Sequence, residues 1–93
     1  MLASFRDSLL GPIEDHDSRR GADLLPTLEA FLVSGGKWKE TADGLHIHVN
    51  TLRHRLARCE ELTARNLNSM DDRVDLYIAI RSRDGVHRSA DET

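Results

Sequence analysis

The chain reads as an all-α protein, a small helical bundle containing a helix-turn-helix. Three observations lead there. Leu, Ala, Arg and Glu are abundant while the aromatics are few (Phe5, Phe31, Trp38 and Tyr77), a bias toward helix rather than sheet. Apolar residues recur at helical spacing, as in Leu24, Leu28, Phe31 and Leu32. The segment from Lys39 to Cys59, KETADGLHIHVNTLRHRLARC, gives a short helix, a tight turn and a second helix in succession. Its 93 residues make one domain with one core and no room for an enclosed active-site cleft.

Taken in order, Ala3 to Leu10 is expected to form an amphipathic helix with Phe5, Leu9 and Leu10 on one side. Gly11-Pro12 should interrupt it, and Pro12 suits the first turn of a short helix toward Asp17. Residues 1–20 are thus expected to be an N-terminal helical segment, the end of an upstream domain or linker, and Ser18-Arg19-Arg20-Gly21 a connection. The helix-turn-helix domain follows over 21–83. Asp23 is the expected N-cap of its first helix, Leu24–Ser34, and Pro26 still falls in the first turn. Gly35-Gly36 ends that helix, one glycine supplying a left-handed cap.

Trp38–Leu45 is the next helix, with Trp38 capping the bundle. His46-Ile47-His48 is the turn, with His46 where such turns commonly carry glycine. Ala42 is small enough for two helices to cross closely, and Ile47 plugs the gap beneath the turn. The recognition helix is expected over Val49–Leu62, with Leu52 and Leu56 on its inner face. Thr63–Asn68 is a loop, and Ser69 with Asp72 has capping-box spacing. The last helix, Met70 to about Arg83, carries Val74, Leu76, Tyr77, Ile78, Ala79 and Ile80. They cover more than one face, so this helix is either sandwiched in the core or shared with a partner chain. Residues 84–93 are expected to be a flexible tail.

The net charge is formally −3, which taken alone argues against nucleic acid. Its distribution reverses that inference. Residues 1–36 carry −3, residues 37–59 carry +3 and residues 60–93 carry −3. The positive block coincides with the helix-turn-helix, so the local field decides. The outer face of the second helix offers Asn50, Thr51, Arg53, His54 and Arg58, and no acid lies between Gly44 and Cys59. An apolar underside beneath a donor-rich cationic top is what reading a DNA major groove requires.

Asn50 and Thr51 sit near the helix start, where Asn can pair with adenine and Thr can touch a phosphate or a thymine methyl; capping the helix is an equal alternative. Arg53 points outward toward a base or phosphate, His54 is an available donor or acceptor, and Arg58 reaches the phosphate backbone. Lys37 and Lys39 stand ready to grip the flanking backbone, and His48 lies at the helix N-terminus. For Arg55, an ion pair with Glu29 or another acid is as well supported as DNA.

Other classes find less support. His46, His48 and His54 lack the further ligand a zinc site needs, so no metal or cofactor is implied. No nucleophile with an oriented base appears, since Cys59 belongs on the core side, and an enzyme is not expected. A single cysteine excludes an internal disulfide and points to a reducing, cytoplasmic setting. No membrane span or signal peptide is evident. The competing function is a helical protein-interaction or dimerisation module that reads no DNA, supported by the last helix and the acidic flanks.

The order LLGPIEDHD, GADLLPTLEAFLVSGG, ETADGLHIHVNTLRHRLARCEELTARNL and DDRVDLYIAIR resembles the C-terminal DNA-binding domain of PucR-type transcriptional regulators. These include the CdaR-like sugar-diacid regulators, which implies a Fis-like helix-turn-helix, and HVNTLRHRL is the most specific part of the likeness. The resemblance implies a helical domain at the end of a longer bacterial regulator, bound to double-stranded operator DNA. An effector would be sensed by a missing upstream domain. Independently, one helix-turn-helix reads only about half a turn of DNA, so a homodimer is expected, with the last helix or the Phe5–Leu10 segment at the contact. Three positions depart from the pattern: Val49 replaces a basic residue, Lys37 replaces a capping Ser or Asn, and Ala64 replaces a glycine. The last two should weaken one helix start and alter or strain one helix end.

Overall fold

The computed structural model describes residues 2–92, and side chains over 4–82. Five helices follow one another: α1 Leu2–Arg20, α2 Leu24–Val33, α3 Trp38–Leu45, α4 Val49–Thr63 and α5 Met70–Glu92. α3 and α4 are the helix-turn-helix, α2 packs across both, and α1 runs against α2, α4 and α5. One core joins them. Leu24, Leu28 and Phe31 of α2 meet Leu52, Leu56 and Cys59 of α4 and Leu76, Ala79 and Ile80 of α5, all buried. Ala42 is buried at the α3 crossing, and Ile47 packs against the core under the turn, as the spacing requires.

α1 departs from expectation. It is one helix with Pro12 inside it, where the sequence places a break. Proline removes the bond to the carbonyl four residues back, here that of Ser8, an exposed position where water can take the acceptor. Meanwhile Leu9, Leu10 and Ile13 are buried at 6%, 0% and 0% exposure. That stripe straddles the proline and holds both halves to the bundle. The segment expected to end another domain therefore contributes to this core.

The α2 start is also built differently. Asp23 adopts a left-handed backbone (φ 58°) and makes no side-chain cap. The cap comes from α1: Asp17 Oδ1 and Oδ2 accept the backbone N–H groups of Leu24 and Leu25 at 2.7 and 2.9 Å. A carboxylate there satisfies two orphan donors and complements the helix dipole. At the other end of α2 both glycines are left-handed, and a Cβ on Gly36 would stand 2.7 Å from the Arg73 guanidinium. Arg73 fills that space, lying over the Phe31 ring and donating from Nε to the Leu67 carbonyl.

At Lys37 no side chain caps α3; its own N–H donates to Ser34 Oγ instead. His46 takes the left-handed turn position (φ 58°), and Ala64 takes the one after α4 (φ 57°). Ala64 is strained there, because its Cβ crowds the neighbouring carbonyl. In the α4–α5 loop Ser69 Oγ accepts the Asp72 N–H. The reciprocal half of the expected box is absent: Asp72 accepts from the Asn66 N–H and from Arg65. α5 continues past Arg83 to Glu92, although the side chains of the expected tail and Thr93 itself lie outside the described residues.

Only one apolar face of α5 is covered. Val74, Tyr77 and Ile78 are 45%, 39% and 44% exposed, so the helix is not sandwiched.

These two helix ends predict opposite shifts in a thermal melt. Asp17→Ala should cost about 1–2 kcal/mol, while Ala64→Gly should add about 1 kcal/mol. For a domain of this size each corresponds to a Tm change of several degrees. Curves that overlay the parent protein's would refute both assignments.

Candidate nucleic-acid interface

The rotation of α4 decides what it offers. Leu52, Leu56 and Cys59 point inward, so Asn50, Thr51, Arg53, His54, Ala57 and Arg58 are exposed. This is the face the sequence nominates. His48 is the N-cap residue with extended backbone, and its side chain makes no cap bond. Asn50 and Thr51 lie inside the helix, so neither is its N-cap and the alternative role falls away. The open N-terminus points its first N–H groups outward, a ready partner for anions.

The exposed face divides into two stripes. On the α3 side, Arg53 Nη1 donates to Asn50 Oδ1 at 3.0 Å, which pre-orients an amide and a guanidinium together. Trp38 stands beside Arg53 in a shallow hollow with Phe31 and Asn68. Its ring meets Phe31 edge-on, centroids 5.1 Å apart, so it does cap the bundle. Lys37 and Lys39 are exposed at the start of α3; Lys39 Nζ is 4.0 Å from Asp43, a solvated pair of little strength.

On the other side run Thr51, His54 and Arg58. Arg58 pairs with Glu61 at 3.1 Å on the surface. At this end the structure adds something the sequence missed: His16, Arg19 and Arg20 of α1 line a hollow with Arg58. The adjacent arginines were the available signal, but only the fold brings them to α4.

Arg55 does not form the expected ion pair with Glu29. Its Nη1 donates to Thr27 Oγ1 at 3.0 Å, tying α4 to α2, while Glu29 pairs with Arg81. Cys59 is a core residue whose Sγ lies 3.7 Å from the Leu24 carbonyl. Burial pushes its thiol up to about 12, with lesser contributions from Asp17 and Glu60. It stays protonated at neutral pH, and a thiolate nucleophile is not available there. Because the folded value lies above the ordinary thiol value of 9.0, its contribution to stability is full below pH 9 and lost as pH rises toward 12.

Comparison with known proteins agrees with this geometry. Residues 24–82 match the PucR C-terminal helix-turn-helix domain. The chain belongs to this family. It is 49% identical over 91 residues to the carbohydrate diacid regulator of Escherichia coli, spanning 87% of this chain and 24% of the relative. It is 41% identical over 59 residues to the transcriptional activator PmfR of Paenarthrobacter nicotinovorans, with 63% of this chain and 13% of that one covered. The proline-responsive transcriptional activator PutR of Bacillus subtilis is 35% identical over 69 residues, 74% of this chain and 17% of its own. The chain thus spans about a fifth of the length of the curated relatives it matches. No solved structure matches it at comparable significance. The PucR-type chain is a DNA-binding regulatory domain, and the alternative of an interaction module without DNA reading is not favoured. Among the described residues no helix is long and apolar enough to cross a membrane.

Arg53→Ala should leave the fold intact and weaken operator binding by about 1–3 kcal/mol, the size of one good base contact. Fluorescence anisotropy at fixed salt reads this directly. A folded variant with unchanged affinity would remove Arg53 from the interface.

Proposed function

We propose that this PucR-type domain binds double-stranded operator DNA by laying α4 in the major groove. The carrying observation is the agreement of two patterns on one helix: a buried apolar line and, opposite it, an exposed face with no acid before Glu61. In this reading Asn50 and Arg53 read base edges as a hydrogen-bonded pair. His48, Thr51 and His54 flank them, and Arg58, Lys37 and Lys39 hold phosphates on the two sides. Val49 leaves one expected basic contact unfilled. The domain performs no catalysis. Regulation then enters from elsewhere in a longer, cytoplasmic regulator, whose upstream part binds the effector.

One helix-turn-helix covers about half a turn of DNA, and a two-fold pair supplies the rest of the specificity. A homodimer is therefore part of the proposal. The two candidate contacts are no longer equal. Leu9 and Leu10 are in the core, whereas Val74, Tyr77 and Ile78 of α5 remain exposed. Val74 and Tyr77, with Leu32, Val33 and Met70, border a hollow whose rim also carries Arg73 and Arg81. Among the described residues the backbone of α5 packs on α1 and α2 and stays clear of α4, so pairing there leaves the reading face open.

Selection from a random duplex pool tests the function. Enrichment of an inverted repeat with half-sites about one helical turn apart is expected; no enriched sequence would contradict it. Sedimentation of the same complexes checks the pairing, since Ile78→Asp should reduce two bound protomers to one without unfolding the domain. An unchanged stoichiometry would discard the α5 contact.

A further inference from the structure

α1 is electrostatically two-sided near its C-terminus. Glu14 and Asp17 turn toward α2, bordering a hollow with Asp23 and Glu29. His16, Arg19 and Arg20 turn the other way and meet Arg58 of the recognition helix. Three guanidinium groups from two helices thus converge at one place, and none of the residues lining it is an acid. Glu61, paired to Arg58 at 3.1 Å, is the one carboxylate bonded to them among the described residues. Arg19 donates from Nε to the Asp15 backbone carbonyl at 3.4 Å, a long bond to a neutral acceptor. His16 Nδ1 is buried beside them with no hydrogen-bond partner.

Arginines in the last turn of a helix also complement its dipole. That role would not require them to gather against a second helix. Arg58 continues the exposed stripe of Thr51 and His54, one turn per step away from the reading end of α4. A duplex engaged by that end has its sugar-phosphate edge alongside the later turns, where an extended helix crosses out of the groove.

We infer that His16, Arg19, Arg20 and Arg58 form a backbone-phosphate site for the DNA strand flanking the groove that α4 reads. The inference rests on the DNA-binding function proposed above and adds α1, which lies outside the matched family segment 24–82, to the interface. Arg19 and Arg20 hold phosphate oxygens through their forked N–H groups. Arg58 exchanges its exposed pair with Glu61, worth little in water, for a phosphate. The contact carries affinity and register rather than sequence preference.

The test is a salt titration of the whole 93-residue chain against a labelled random-sequence duplex of about 30 base pairs, three helical turns. Each phosphate contact contributes roughly 0.9 to the slope of log affinity against log salt. Arg19→Ala/Arg20→Ala should lower that slope by about 1–2 and weaken binding equally for all sequences. Arg19→Lys/Arg20→Lys should keep most of the slope, because charge rather than packing is at issue. A folded double-alanine protein with the parent slope and affinity would overturn the inference while leaving α4 as the reader. A parent chain that ignores the duplex would overturn the DNA-binding proposal itself, and this site with it.

Discussion

Everything this domain presents to a partner depends on the rotation of α4, and that rotation is set by burial. Leu52, Leu56 and Cys59 lie on one line of the helix and are almost fully buried against α2 and its neighbours. Each leucine contributes about 1.5–3 kcal/mol by leaving water, whereas the exposed ion pairs of the outer face are worth a fraction of that. Turning the helix by even a quarter would expose those leucines and bury Asn50, His54 or Arg58. The reading face is therefore defined by what the opposite side cannot give up. Arg55 adds a polar lock, its bond to Thr27 holding α4 to α2 at the edge of the core.

Charge is organised by the same packing. The overall −3 is misleading because the acids and bases are sorted by the fold. Glu14 and Asp17 of α1 face α2, where Asp17 is used as the cap of that helix, and His16, Arg19 and Arg20 face α4. Two acids early in α5 are engaged internally, Asp72 and Asp75 holding Arg65 of the α4–α5 loop between them at 3.4 and 2.8 Å. What remains facing outward around α4 is mainly cationic or neutral. A chain of negative net charge can thus present a local field that favours a polyanion.

The helix-turn-helix was legible because every level of its sequence agrees: helical apolar spacing, a turn residue that tolerates the left-handed backbone at His46, and a stretch from Gly44 to Cys59 without an acid. The rest escaped for identifiable reasons. Pro12 is a strong local signal for a break, and only the burial of Leu9, Leu10 and Ile13 overrides it. Asp23 has the right type and place for an N-cap, but the better-placed carboxylate is Asp17, brought in from the preceding helix. Arg19 and Arg20 look like a linker until α1 is seen against α4. The strain at Ala64, by contrast, was visible from its place after the helix and proved to be a left-handed backbone. Local rules failed where a residue's partner lay several residues away across a helix-helix contact.

The most direct test of the central claim is amide chemical-shift mapping of the domain titrated with duplex DNA. If α4 is the reader, the perturbed amides will centre on its N-terminal half, from His48 to His54, and extend to Lys37, Lys39 and Arg58. The amides of α5 around Val74–Ile78 will then show no comparable binding shift. Perturbations centred on α5, with α4 unmoved at saturating DNA, would contradict the account.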